Sequence, residues 1–149
     1  MEVTDPIRSL LRFKGNEFYC IGPEAPVYEA LELMAGKHVG ALPVMRDREL
    51  LGIISERDYA RKVILKGRAS RTTLVEEIMT TRVECASPDD TVDECMRIMT
   101  RHRIRHLPVR EGNRIIGIVS IGDLVNWIIM AQDATIDHLN NYIAGTYPA

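Results

Sequence analysis

The feature that most restricts this chain is that it is written twice. Pro23-Glu24-Ala25-Pro26-Val27 aligns with Pro88-Asp89-Asp90-Thr91-Val92, and the same offset of 65 residues carries Leu42-Pro43-Val44 onto Leu107-Pro108-Val109. It then carries Gly52-Ile53-Ile54-Ser55 onto Gly117-Ile118-Val119-Ser120, and Asp58 onto Asp123, without a gap. One or two matches arise by chance. A register that holds Pro, Gly, Ser and Asp at separated places points to duplication, and a repeated unit generally buries its apolar face against its neighbour.

Periodicity gives each copy the same expected order, β-α-β-β-α. A short run (Phe18 to Ile21; Arg82 to Cys85) precedes a Pro-acid turn that opens a helix. Val27, Ala30, Leu31 and Met34 recur at helical spacing, as do Val92, Cys95, Met96 and Met99. Two strands follow, Ala41 to Met45 and Leu50 to Ser55, with counterparts His106 to Arg110 and Ile115 to Ser120. The turns are Asp47-Arg48 and Gly112-Asn113, the latter a favoured hairpin pair. A second helix starts after Ser55 and after Ser120, reaching about Lys66 and Ala131 respectively. The expected organisation is an N-terminal helix and lead-in over 1–17, repeat 1 over 18–66, a linker over 67–81, repeat 2 over 82–131 and a helical tail over 132–149. In that tail Ile136, Leu139 and Ile143 form an apolar edge. The fold class is α/β (α+β), with pseudo-twofold symmetry, the sheets packed on each other and the helices outside.

The recurring Gly-x-x-Ser-x-x-Asp places Ser55 and Asp58, then Ser120 and Asp123, at a strand-to-helix junction. Ser-x-x-Asp there is a capping box in its own right. The same junction also offers free N–H groups to an anion and a carboxylate to the paired hydroxyls of a ribose. The apolar-Pro-Val strand, the hairpin and Gly117-Ile118-Val119-Ser120-Ile121-Gly122-Asp123 resemble the CBS domain (named for cystathionine β-synthase), and two in tandem resemble a Bateman module, here as a stand-alone bacterial-type pair. The likeness covers about residues 18–130. It implies two clefts for AMP, ATP, NAD(H) or related adenosyl ligands, with Asp58 and Asp123 on the ribose and Ser55 and Ser120 near the phosphate.

The copies differ in charge. Arg101, His102, Arg103, Arg105 and His106 precede Pro108, whereas Gly40-Ala41 stand where Arg105-His106 would be expected. Guanidinium groups grip phosphate bidentately, and the resemblance assigns phosphate contact to the two basic residues before the strand. The expected second site is Arg103, Arg105, His106, Leu107, Pro108, Ser120 and Asp123; the expected first site is Ala41, Leu42, Pro43, Ser55, Arg57 and Asp58. Arg57 sits nearer the motif than Arg61 and Lys62, which read as an exposed face. The bland reading of the basic run is a solvated strand edge.

No nucleophile elbow, Walker loop, His-Glu-x-x-His or paired-carboxylate motif occurs, so the expectation is a non-catalytic regulatory module requiring no metal and acting on another protein. A formal net charge of -2 and the lack of an aromatic platform weigh against nucleic acid. The remaining alternatives are a ligand-free dimerisation or structural scaffold and, further off, a nucleic-acid-binding module. His38, His102 and His138 show no metal spacing, and Trp127 reads as packing. Cys20, Cys85 and Cys95 form no disulfide or zinc pattern, the start of the chain lacks a signal-peptide pattern, and Ile115 to Ala131 is interrupted by Asp123 and Asn126. The expected protein is a cytoplasmic homodimer.

Overall fold

A computed structural model describes residues 3–15 and 17–143, with side chains as far as Ala134. The elements run α1 (Ile7–Lys14), α2 (Val27–Lys37), β1 (Ala41–Arg46), β2 (Glu49–Ser55), α3 (Glu56–Lys62), a 3-10 turn (Ile64–Lys66), α4 (Val75–Ile78), α5 (Val92–His102), β3 (His106–Glu111), β4 (Arg114–Ser120) and α6 (Ile121–Ile143). The α+β fold of two repeated units is borne out. Each repeat holds an antiparallel hairpin, Leu42 facing Ile54 in one and Leu107 facing Val119 in the other. Both hairpins shift register at the same place, after Val44 and after Val109. Asp47 and Arg48 turn with φ of 50° and 74°, as a two-residue hairpin with primed geometry needs, and Gly112 supplies φ 61° in the second.

Differences from expectation lie at the edges. In place of the leading strands there are single parallel bridges, Ile21 to Val44 at the end of the first expected run and Ala86 to Val109 one residue past the second. The segment 67–81, expected as a linker, carries α4. In repeat 1 the second helix stops at Lys62 and ends in the 3-10 turn, whereas α6 continues through the expected tail. The side chains of Ile136, His138, Leu139 and Ile143 lie outside the described residues. Among those described, no helix is long and apolar enough to cross a membrane.

The lead-in segments are exchanged. Ahead of repeat 1, α1 docks on repeat 2: Ile7 N–H donates to Asp90 O at 2.8 Å, Arg8 N–H to Pro88 O at 2.9 Å, and Val92 N–H to Asp5 O at 3.0 Å. Ahead of repeat 2, α4 docks on repeat 1 through the equivalent atoms, Val75 N–H to Ala25 O at 2.8 Å, Glu76 N–H to Pro23 O at 3.0 Å, and Val27 N–H to Thr73 O at 2.8 Å. Two cores result. Val27, Ala30, Met34, Leu42, Val44, Ile54 and Val63 are buried with Val75 and Ile78 of α4. Val92, Cys95, Met99, Leu107, Val109, Val119 and Leu124 are buried with Ile7, Leu10 and Leu11 of α1. An eight-residue helix is marginal alone. Burying three large aliphatic side chains, at about 1.5–3 kcal/mol each, holds α1 in place.

Candidate functional site

Both Ser-x-x-Asp motifs cap their helices. Asp58 Oδ2 accepts from Ser55 N–H at 3.0 Å and Ser55 Oγ at 3.1 Å, while Asp58 N–H donates to Ser55 Oγ at 3.2 Å. Asp123 Oδ2 accepts from Ser120 N–H at 2.9 Å, and Asp123 N–H donates to Ser120 Oγ at 3.1 Å. The capping role is thus present in both copies, and any binding role is added to it.

Beyond the cap the two carboxylates part company. Asp58 Oδ1 accepts from Thr80 Oγ1 at 3.2 Å and pairs with Lys62 Nζ at 2.9 Å, so both its oxygens are engaged. Asp123 pairs through Oδ2 with Lys14 Nζ at 2.6 Å, and its Oδ1 accepts from no described residue. Its side chain is 25% exposed against 11% for Asp58. Among the described residues, one carboxylate oxygen at the start of α6 is thus left open.

Two members of the basic run, His106 and Arg105, share the surroundings of that carboxylate. His106 is pushed below its ordinary value of 6.5, chiefly by burial; Asp123 opposes the shift, while Lys14 and Arg105 add to it. These four groups share one electrostatic neighbourhood. The strand starts of the repeats also meet here: a Cβ on Gly40 would stand 3.2 Å from His106 Cε1. Main-chain contacts repeat the symmetry, with Glu56 N–H donating to Gly40 O at 3.1 Å and Ile121 N–H to Arg105 O at 2.8 Å. Arg105 itself is exposed.

Other expected site residues fall elsewhere. Arg57 reaches across the repeats, its Nη1 donating at 2.9 Å to the carbonyl of Arg103, the left-handed residue (φ 54°) that ends α5. Leu42 and Leu107 belong to the cores, and Ala41, Pro43 and Pro108 are buried beside them, so these support the strand start. Two recesses, of about 320 Å³ along Arg8, Arg12 and Arg114 and about 360 Å³ along Glu94, Arg97 and Arg101, contain none of the expected site residues.

The CBS-domain family model matches residues 14–65 and again 75–130. The chain belongs to the CBS-domain family. It is 41% identical over 138 residues to a mitochondrial CBS-domain protein of Arabidopsis thaliana, CBSX3, covering 89% of this chain and 66% of that one. A CBS-domain protein structure from Burkholderia ambifaria is 46% identical with a TM-score of 0.83, covering 86% of this chain and 96% of that one. The CBS-domain pair of protein MJ0100, solved with 5'-methylthioadenosine and S-adenosyl-L-methionine, is 25% identical with a TM-score of 0.74, covering 83% of this chain and 99% of that one.

Within this CBS pair, three residues that touch the motif carboxylates escaped the reading of the sequence as site residues. Lys62, its side chain still 43% exposed, reaches back to Asp58 and donates also to Ile78 O at 2.9 Å, and its i+4 spacing from Asp58 was a visible signal. Thr80 and Lys14 come from the exchanged lead-ins, which local spacing does not show. Trp127 packs α6 on the first lead-in, its Nε1 donating to Asp5 Oδ2 at 2.9 Å and its ring meeting Phe13 edge-on. Among the described residues, no three or more His, Cys, Asp or Glu side chains gather as a metal site.

Proposed function

We propose that this CBS pair is a non-catalytic sensor of adenine nucleotides (AMP, ATP or NAD(H)), loading first at the second repeat and passing occupancy to a partner protein. The observation that carries this reading is Asp123, paired with Lys14 at a helix start, with one carboxylate oxygen that accepts from no described residue and with His106 and Arg105 in the same electrostatic neighbourhood. A ribose hydroxyl donates to such an oxygen, and the cations complement a phosphate. The nucleosides held by the MJ0100 pair support the adenosine half. Asp58, with both oxygens engaged, is the poorer acceptor.

Homodimerisation is part of the proposal. Ile64 and Leu65 are 55% and 75% exposed, and the residues one repeat later, Ile129 and Met130, are 48% and 43% exposed. Equivalent apolar patches on both repeats suit a partner with the same twofold arrangement. Free Cys20, Cys85 and Cys95 support a reducing, cytoplasmic setting.

The test is a thermal-shift panel of AMP, ADP, ATP, NAD and NADH on nucleotide-stripped protein, with calorimetry on Asp123→Asn and Asp58→Asn. A ligand at 100 times its dissociation constant adds about 2.7 kcal/mol. Asp123→Asn is expected to cost about 1.5–3 kcal/mol of binding, and Asp58→Asn little. No shift with any nucleotide leaves the motifs as helix caps on a dimerisation scaffold.

A further inference from the structure

Lys14 is the last residue of α1, and its ammonium covers the carboxylate that a ribose needs. It donates to Asp123 Oδ2 at 2.6 Å and to Ile118 O at 2.8 Å. Its place is enforced, because Ile7, Leu10 and Leu11 anchor α1 in the second core and Leu11 lies directly against Gly117. At the matching carbonyl of repeat 1, Ile53 O, the partner is the Thr80 main-chain N–H at 2.8 Å, and the Thr80 hydroxyl reaches Asp58. A neutral main-chain strap thus fills the place that a charged side chain fills in repeat 2.

We propose that Lys14 is a specificity-determining residue of the second cleft, selecting phosphorylated over unphosphorylated adenine nucleosides; this rests on the nucleotide reading of that cleft. Two ribose hydroxyls on Asp123 use both carboxylate oxygens, and the ammonium must leave Oδ2. Adenosine gives the displaced cation no new counter-charge, leaving it in a neighbourhood where it and Arg105 both act on His106. A nucleotide brings an anion into the same cluster, so Lys14 exchanges one carboxylate for one phosphate. Arg105 attracts phosphate but donates nothing to Asp123, so it does not oppose the neutral nucleoside; Lys14 acts on both sides of the balance.

The test is calorimetry of adenosine and AMP on the full chain and on Lys14→Met, which keeps an apolar stem against the helix end and removes the charge. Adenosine is expected to bind about three- to tenfold tighter to the variant, AMP not to share that gain, and the preference for AMP to fall about tenfold. Lys14→Arg is expected to restore the preference, and in an Asp123→Asn background Lys14→Met is expected to leave adenosine unchanged. Lys14→Gln repeats the measurement should the methionine variant unfold. Equal preference in wild type and both neutral variants overturns the role of Lys14 while leaving the nucleotide reading standing. Binding of neither adenosine nor AMP to any of these proteins overturns the role of Lys14, and the nucleotide reading falls with it when ADP, ATP, NAD and NADH give no shift either.

Discussion

Gly52 and Gly117 occupy the same place in the two repeats, yet the same substitution is expected to cost very different amounts. A Cβ on Gly52 would stand 2.8 Å from Thr80 O and 2.8 Å from Met79 Sδ. The thioether can swing aside. The carbonyl cannot, because Thr80 and Ile53 exchange backbone bonds of 2.8 and 2.9 Å. Relief requires the strap to lift from β2, weakening two hydrogen bonds at about 0.5–1.5 kcal/mol each, on top of about 1–3 kcal/mol for overpacking. Alanine recovers about 0.4–1 kcal/mol by restricting the unfolded chain. Taking the middle of each range, the net expectation for Gly52→Ala is a loss of about 3 kcal/mol. At Gly117 the nearest atom is Leu11 Cδ2 at 2.8 Å, the far end of a flexible side chain. Its adjustment costs about 0.5–1.5 kcal/mol, nearly offset by the same unfolded-state gain. Urea unfolding with an unchanged slope is the assay. In thermal scans Gly52→Ala is expected to fall about 6–12 °C, at about 2–4 °C per kcal/mol for a chain of this size. Equal losses at the two glycines, or a Gly52→Ala loss within about 0.5 kcal/mol, refute the assignment of the rigid strap to repeat 1.

Arg105→Ala is expected to weaken AMP about tenfold more than adenosine, the difference shrinking as salt rises; calorimetry at two salt concentrations checks both. His106 has a folded value below its unfolded one, so the unfolded chain binds more protons just below pH 6.5 and stability falls as pH drops through that window. Replacing it with Gln is expected to flatten that part of the curve of unfolding free energy against pH. Leu65→Glu combined with Met130→Glu is expected to halve the mass seen by light scattering, and a monomeric wild type at micromolar concentration refutes the dimer. Burial pushes the Cys95 thiol up to about 12 while Cys20 is exposed, so a thiol reagent is expected to label Cys20 in the native state and Cys95 only on unfolding.

What the sequence disclosed and what it hid divide along one physical line. Within each repeat the determinants are local or hold a constant offset: the Ser55 and Ser120 caps, the helix stripes from Val27 and Val92, and the Asp47-Arg48 turn all act over a few residues. The repeat register therefore exposed the fold and both motif carboxylates, as well as the asymmetry of Gly40-Ala41 against Arg105-His106. The contacts that set the carboxylates apart are not local. Lys14 and Asp123 are 109 positions apart, and Thr80 reaches Asp58 across 22. The register also slips just where those contacts arise. Pro6 bridges Thr91 as Leu74 bridges Pro26, so the docked lead-ins correspond at an offset of 68 instead of 65. An ungapped alignment sets Lys14 opposite Met79 and hides that its ammonium does the work of the Thr80 strap. The traces it does leave are indirect: apolar Ile7, Leu10 and Leu11 before one repeat, Val75 and Ile78 before the other, and a glycine in each second strand. A glycine inside a strand marks the close approach of something else. Here that neighbour is the exchanged segment, which completes both cores and brings Lys14 of α1 to the carboxylate of the second motif.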